Sequence, residues 1–279
     1  SKIYAPEHAP EWVYDREKLW NAAEQAENRV NSTTAHKIML PLPNELNAEQ
    51  NIALLEDIVS ELVDLGMVVD ANIHDDNPNN IHAHLLGTMR NLVENRHGEM
   101  GFAATKNRDW HHKKFVDFVR EMHTEKVNEH YQMHGYDKRF CHKSYKERGV
   151  DLEPSVHEGP ARNIKNSELV ELNRQIAADN AEKIREKPSI ILDVLGINSP
   201  VFTKEQIASE LEKRLHAGID FEKIDDIESM QKKLSEEFTI AYEKILNCPE
   251  ITQVIEADLK GRTLYTTTKR LELEERFTN

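Results

Sequence analysis

One stretch of the sequence decides the fold: residues 70–86, which read DANIHDDNPNNIHAHLL. Its middle part, residues 75–80, contains only Asp, Asn and Pro, which favour turns. Apolar and polar residues alternate on either side of that turn, as they do in strands with one buried face. The stretch therefore predicts a β-hairpin in which His74 ends the first strand and His82 begins the second.

This hairpin would gather three histidines on one of its faces. His82 and His84 are two residues apart, so their side chains point to the same side of the strand. Neighbouring strands lie about 4.8 Å apart, which lets the imidazole of His74 reach the same point. The alternation adds three more polar residues to this face: Asp70, Asn72 and Arg90. The opposite face is apolar and is expected to pack in the core.

Three imidazoles on one face indicate a metal site that keeps coordination positions open for water or substrate. Histidine ligands alone leave the metal open among Zn²⁺, Mn²⁺, Fe²⁺, Co²⁺ and Ni²⁺. Asp70 and Asn72 could orient a ligand from the same face. The alternative is that the three are ordinary surface or core histidines. Because Arg90, Arg139 and Lys143 could attract a phosphate to such a metal, the residues favour phosphoryl transfer as the reaction class.

The composition is that of a folded, soluble, helix-rich protein. The chain has 279 residues, 38% of them hydrophobic, and a net charge of −14. This charge is unlike that of a nucleic-acid binder, although residues 96–148 are rich in Lys and Arg and could form a local basic face. Those cations could equally pair with acids on helices. No apolar run approaches the ~20 residues of a membrane span, and Cys141 and Cys248 show no pairing pattern, which suits a reducing cytoplasm.

Helical and extended segments alternate along the first 160 residues. Helices are expected at residues 16–30, 47–65 and 107–134, and a short strand at residues 37–40. Together with the hairpin, this order predicts the α+β class, with an antiparallel sheet covered on one face by helices.

A mostly helical part is expected to follow. Residues 161–186 are expected to form a helical linker, and residues 187–279 a small module in which Thr203 opens a capping box. Its expected strands lie at residues 252–255 and 263–267, whereas a further short strand at residues 139–145 is expected before the boundary. Helices followed by a two-stranded ribbon are compatible with a winged-helix-like module.

Several short blocks occur in the order and at the spacing of a known family. They include Leu42-Pro43-Asn44-Glu45-Leu46, Gly66-Met67-Val68-Val69-Asp70, Ile73-His74, His82-Ala83-His84-Leu85-Leu86 and Arg108-Asp109-Trp110. Together they resemble the MobA/MobL (MobQ-type) conjugative relaxases, members of the His-hydrophobe-His endonucleases. The match covers roughly residues 11–160. Residues 185–279 resemble the segment that follows the relaxase in TraA-like relaxase–helicases.

The resemblance implies a relaxase palm and a function. These proteins nick one strand of plasmid DNA at an origin of transfer, where a tyrosine attacks the scissile phosphate and stays linked to the 5′ end. His74, His82 and His84 would hold a divalent metal, Mn²⁺ or Mg²⁺ first, with Zn²⁺, Ni²⁺ or Co²⁺ as alternatives. The implied contacts with single-stranded DNA are Arg90, Arg108, Arg139 and Lys143.

The resemblance also sets expectations for the domains and partners. Residues 1–160 would be the relaxase domain, and residues 187–279 would precede a helicase. The family's nucleophilic tyrosine belongs to a segment before Leu19, so we expect it ahead of this sequence and not at Tyr4 or Tyr14. The expected partners are origin DNA, accessory proteins of the relaxosome and a type IV secretion coupling protein. The expected location is the bacterial cytoplasm, with transfer alongside the DNA during conjugation.

Two other functions stay open at this point. The chain could be a DNA-binding or docking module without activity of its own. It could also be an unrelated three-histidine metal hydrolase or oxygenase.

Overall fold

The computed structural model describes residues 1–29, 31–94, 98–157, 159, 168–219, 224–255 and 261–278. The chain divides into two compact units, Ser1–Tyr136 and Asp137–Asn279. This division falls before the expected domain boundary at residue 160, and residues 160–167, where that boundary and the start of the expected linker lie, are outside the described residues. Within the described residues, no helix has both the length and the apolar character needed to cross a membrane.

The first unit is built on a four-stranded sheet in the order β1-β3-β4-β2, with every neighbouring pair antiparallel. Its strands are β1 (Lys2–Tyr4), β2 (Ala35–Pro41), β3 (Val69–His74) and β4 (His82–Thr88). The predicted hairpin is therefore confirmed as β3 and β4. Strand β1 was not predicted, because three residues are too few to display an alternating pattern. A further two-stranded ribbon pairs β5 (Leu92–Glu94) with β6 (Met100–Phe102).

Three α-helices accompany the sheet: α1 (Arg16–Gln25), α2 (Ala48–Asp64) and α3 (Lys113–Met133). Helix α1 is shorter than the predicted residues 16–30. Helix α2 begins at the predicted residue, because Asn47 and Gln50 form a reciprocal capping box. It ends before Gly66, whose φ of +90° is accessible to glycine at little cost.

The helices α2 and α3 lie on the apolar face of the sheet. The alternate residues Val69, Ala83 and Leu85 on that face are fully buried, as are Leu54 and Ile58 of α2. Because apolar surface removed from water contributes about 25 cal/mol per Å², this face supplies much of the stability of the unit. The predicted α+β arrangement, with helices over one face, is confirmed here.

The polar face of the sheet is also covered, but only at one end. There Val13, Leu19 and Val68 form a fully buried cluster under α1 and the preceding residues. The sequence did not predict that α1 would cover part of this second face. The other end of the polar face carries the three histidines and stays open.

The second unit contains five α-helices and a ribbon within the described residues. They are α4 (Glu168–Glu186), α5 (Ile190–Asn198), α6 (Lys204–Leu215), α7 (Ile227–Leu246), β7 (Ile251–Ile255), β8 (Leu264–Thr267) and α8 (Thr268–Thr278). The capping box at Thr203 and the pairing of the last two strands are found as predicted. The winged-helix-like interpretation stays a prediction.

Two expectations for the second unit differ from the structure. Residues 139–145 do not form a strand. Helix α4 was expected to be a linker, but Ile184 is fully buried in the same core as Ile191 and Phe202. The amide of Asn180 on α4 also holds the backbone of Glu153 through two hydrogen bonds of 2.9 and 2.8 Å. The described part of the expected linker is thus an integral element of this unit.

Candidate metal centre

The antiparallel register of β3 and β4 brings the three histidines together. His74 lies directly opposite His82, and His84 lies opposite Asn72 on the same face. The ring centroids are 5.2 Å apart for His74 and His82, 4.5 Å for His74 and His84, and 5.0 Å for His82 and His84. One nitrogen from each ring can be chosen so that all three lie within 4.8 Å of one another. One metal ion could therefore be shared by the three rings.

The turn of the hairpin orients one of these imidazoles. The Nδ1 atom of His82 lies 2.7 Å from the carbonyl oxygen of Asn80. Because a carbonyl oxygen only accepts hydrogen bonds, Nδ1 must donate, which leaves the lone pair of neutral His82 on Nε2. Histidines that bind metals commonly have such a partner on the second nitrogen. Asn80 was predicted only as a turn residue, so this orienting role was missed.

The environment of His84 favours its neutral form. Desolvation is the largest cause that lowers the pKa of His84, and electrostatic interactions with His74, Lys37 and His82 lower it further. A neutral imidazole keeps the lone pair that a metal needs. His84 and His82 are half-buried and His74 is exposed, so the cluster is accessible from solvent.

Asp70 was expected to orient a metal ligand, and the structure gives it another role. Its carboxylate accepts hydrogen bonds from Arg16 Nε at 2.7 Å and Nη2 at 2.8 Å, and from Trp20 Nε1 at 3.2 Å. Burial opposes the ionised form, but the hydrogen bonds from Arg16 and Trp20 outweigh it and lower the pKa of Asp70. Asp70 lies four residues before His74, about 13 Å along the strand. It anchors α1 to the sheet.

Asn72 is half-buried on the same face, opposite His84. A role in orienting that histidine stays a prediction for this residue.

Arg90 was expected to contact DNA, and the structure shows it largely buried and bonded to other groups of the protein. Its side chain is 9% exposed and its Nε lies 3.0 Å from Glu27 Oε1. Its Nη1 donates to the carbonyl oxygens of Ala103 at 2.9 Å and Ala104 at 2.6 Å. It lies two residues beyond Thr88, the last residue of β4, and four residues of strand, about 13 Å, separate Thr88 from His84. Arg90 therefore ties the end of β4 to neighbouring backbone and does not face the three histidines.

The other three expected DNA contacts are exposed. Arg108 begins a 3₁₀ helix in the first unit, whereas Arg139 and Lys143 belong to the second unit and not to the expected strand. Exposure is compatible with DNA contact, so these three assignments stay predictions.

An apolar surface beside the histidines was not foreseen. Met39 of β2 lies opposite His84 and is 61% exposed, while Leu86 of β4 is 36% exposed. Exposed apolar side chains that adjoin a polar cluster often mark a binding surface. The alternation of residues 37–41 was the available signal, but the sequence did not indicate that β2 pairs with β4.

The two N-terminal tyrosines are placed as follows. The hydroxyl of Tyr4 donates to Glu56 of α2 at 3.2 Å, on the opposite face of the sheet from the histidines. Tyr14 is 50% exposed in the 3₁₀ helix before α1. Across the described parts of the chain, no tyrosine ring contacts the three imidazoles.

Comparison with known sequences gives a consistent set of relatives. The model of the MobA/MobL family matches residues 1–167. The conjugal transfer protein TraA of Agrobacterium fabrum is 32% identical over 252 residues, which cover 77% of this chain and 22% of that protein. The mobilization protein MobL of Acidithiobacillus ferridurans is 28% identical over 178 residues, 53% of this chain and 47% of that protein. The chain thus spans less than half the length of these relatives.

Comparison with solved structures gives TM-scores below 0.5 for the two structures described here. A structure on the molecular basis of vancomycin resistance transfer in Staphylococcus aureus is 36% identical, with a TM-score of 0.47 over 52% of this chain and 75% of that chain. The metal-bound complex of the conjugative relaxase TrwC with oriT DNA is 11% identical, with a TM-score of 0.37 over 88% of each chain.

Proposed function

The chain belongs to the MobA/MobL family, and from this premise we propose that its first unit carries the metal-binding part of a conjugative relaxase site. The observation that carries the proposal is the convergence of His74, His82 and His84, with ligand nitrogens within 4.8 Å of one another. The substrate would be single-stranded DNA at a plasmid origin of transfer. Arg108, Arg139 and Lys143 are proposed as contacts with its backbone.

The donor set fits a divalent transition metal. Three imidazole nitrogens suit Mn²⁺, Co²⁺, Ni²⁺ or Zn²⁺, whereas Mg²⁺ prefers oxygen ligands. When bound, such an ion would supply a Lewis acid that polarises a phosphate oxygen. The protein's own contribution is orientation, because the Asn80 carbonyl engages Nδ1 of His82 and leaves Nε2 for the metal, and the environment of His84 lowers its pKa, which favours the neutral imidazole.

The proposed reaction exchanges one phosphate ester for another. A tyrosine oxygen would bond to the scissile phosphorus, which keeps its bond to the 5′ oxygen, as the bond from phosphorus to the 3′ oxygen breaks. The tyrosine proton would pass to the departing 3′ hydroxyl, so the number of ester bonds is unchanged. We assign this step to no tyrosine of this chain.

A DNA-binding module without cleavage activity of its own is the second candidate. One observation favours it: within the described residues, the histidines have no tyrosine ring in contact. The two candidates share the metal and DNA sites and differ in the nucleophile.

A metal titration tests the proposal. His82→Ala removes one of the three imidazoles, so we expect Mn²⁺ affinity to fall by roughly 100-fold or more. Mutation of a residue that only hydrogen-bonds to a metal ligand already lowers metal affinity by about 10–100-fold. Isothermal titration calorimetry of the metal-stripped protein measures this. His8→Ala, at an exposed position, is the matched control and should bind Mn²⁺ like the wild type. Equal affinity in both variants would refute the proposed site.

A further inference from the structure

A basic depression lies in the first unit, beyond the end of β4 that is distant from the histidines. It has a volume of 810 Å³ and opens beside the residues that follow α1. Four of the residues that line it are cationic: Arg29, Arg90, Lys106 and Arg108. His111 and His112 also line it, and Glu27 is the one acid among its described lining residues.

The floor of the depression is held by a buried ionic cluster. Glu27 accepts from Arg90 and Lys106, at 3.0 Å in each case, and only 6% of its side chain is exposed. Ser32 donates to the same carboxylate at 2.5 Å. Lys106 also donates to the carbonyl oxygen of Thr33. Because these side chains are already fixed, little conformational entropy would be lost when an anion binds above them.

The rim carries uncompensated positive charge. Arg29 and Arg108 are exposed, and no carboxylate within the described residues is in salt-bridge distance of either. One acid therefore faces four cations, on a chain whose net charge is −14. Guanidinium groups bind phosphate oxygens through two parallel hydrogen bonds. This local surplus of charge distinguishes the depression from an ordinary solvated surface.

We propose that this depression is a second DNA-binding site, which holds backbone phosphates of the DNA whose scissile region lies at the histidines. This inference rests on the proposed function, because that function supplies the DNA. Along β4, about 13 Å separates His84 from Thr88, the residue at the end nearer the depression, so the DNA would extend over several nucleotides from one site to the other.

The lining also indicates how the DNA is recognised. Among the described residues that line the depression, none has an aliphatic or aromatic side chain apart from the two imidazoles. Stacking of bases needs aromatic or apolar surfaces, whereas phosphates need cations. With four cations and only two imidazoles in this lining, we expect contacts with phosphates to dominate, so that the depression mainly positions the DNA.

The salt dependence of DNA binding tests the inference. The variant Arg29→Gln/Arg108→Gln removes the two rim charges without touching the buried cluster. We measure fluorescence anisotropy of a fluorescein-labelled single-stranded oligonucleotide of mixed sequence, in metal-free buffer over a series of salt concentrations. Losing two phosphate contacts should weaken binding and reduce the log–log salt slope by about 1.4.

The matched control is Lys232→Gln/Lys244→Gln, which removes two exposed charges from α7, neither of which lines the depression. Its slope should stay that of the wild type. The conservative variant Arg29→Lys/Arg108→Lys should restore most of the slope, which separates loss of charge from loss of folding. Equal slopes in the rim and control variants would overturn the inference.

The inference and the proposed function fail in different ways. If the rim variant matches the control while His82→Ala still abolishes Mn²⁺ binding, the depression is not a DNA site and the proposed function stands. If the rim variant loses slope while the wild type binds no Mn²⁺, the depression holds DNA and the proposed metal site is wrong.

Discussion

Asp70 and Arg90 illustrate why charged residues are difficult to interpret from sequence. Both lie on the expected polar face, where exposure would make them functional candidates. In the structure both are buried, and a buried charge is costly unless it is paired and hydrogen-bonded. Their partners, Arg16 and Glu27, come from α1 and the residues after it. Each pair is therefore an anchor for α1.

Glu27→Gln should strongly destabilise the protein, because it leaves Arg90 and Lys106 buried without a counter-charge. Removing one partner of a buried ion pair typically costs about 3–5 kcal/mol. The free energy of unfolding from urea denaturation measures the effect. Glu24→Gln, an exposed position on α1, is the control and should change it by less than about 0.5 kcal/mol. A small change for Glu27→Gln would mean that the cluster contributes little.

The same carboxylate should make stability depend on pH. Burial opposes ionisation of Glu27, but hydrogen bonds from Arg90, Ser32 and Lys106 lower its pKa from 4.5 to about 2. Between these values the unfolded chain binds the proton and the folded chain does not, so this contribution is complete above pH 4.5 and is lost as the pH falls towards 2. As the pH falls over this range, the free energy of unfolding of the wild type should decrease by roughly 3 kcal/mol more than that of Glu27→Gln.

At the scale of elements, α1 decides which part of the polar sheet face stays open. The helix crosses the face where Asp70 binds Arg16 and Trp20, and it leaves the last residue of β3 and the first residues of β4 uncovered. The histidines are therefore accessible because α1 is anchored away from them. A role of Asp70 as an anchor and a role as a ligand-orienting residue make different predictions.

Asp70→Asn should lower stability with little effect on metal binding. Arg16 is half exposed, so solvent weakens the pair, and we expect a loss of about 1–2 kcal/mol. Mn²⁺ affinity should change by less than about threefold, whereas loss of a ligand-orienting partner costs 10–100-fold. Thermal unfolding and calorimetry measure the two quantities, with the exposed Asp64→Asn on α2 as control. A 10–100-fold loss of affinity would restore the ligand-orienting role.

At the scale of the whole molecule, the net charge of −14 argued against a nucleic-acid binder. Electrostatic attraction is local, however, because the Debye length is about 10 Å at 0.1 M salt. A depression of 810 Å³ lined by four cations can therefore attract phosphates while acids elsewhere set the net charge. Local charge, and not the total, is the relevant quantity here.

The 279-residue chain is expected to bind single-stranded DNA but not to nick it. The reason is the placement of its tyrosines, since the hydroxyl of Tyr4 contacts Glu56 on the face opposite the histidines. Incubation of a labelled origin oligonucleotide with Mn²⁺, followed by denaturing electrophoresis, measures cleavage. A longer protein with the family's tyrosine segment should form a covalent 5′ adduct. Robust nicking by this chain alone would contradict the prediction and direct attention to Tyr14.

The sequence by itself determined the features that depend on near neighbours. The two-residue period of strands predicted which face carries His74, His82 and His84, and the turn residues predicted the hairpin. The cap at Asn47 and the capping box at Thr203 predicted where two helices begin, because such hydrogen bonds join residues three apart.

Only the tertiary structure decided the features that depend on distant partners. Three such features join residues that are far apart in sequence. They are the pairing of β1 and β2 with the hairpin, the ion pair of Arg90 with Glu27, and the packing of α4 into the core of the second unit. Periodicity and local chemistry do not identify such partners, because the choice of partner depends on tertiary packing, which can override local preferences anywhere in the chain. The face that carries the three histidines could therefore be predicted from the sequence, whereas the basic depression could not.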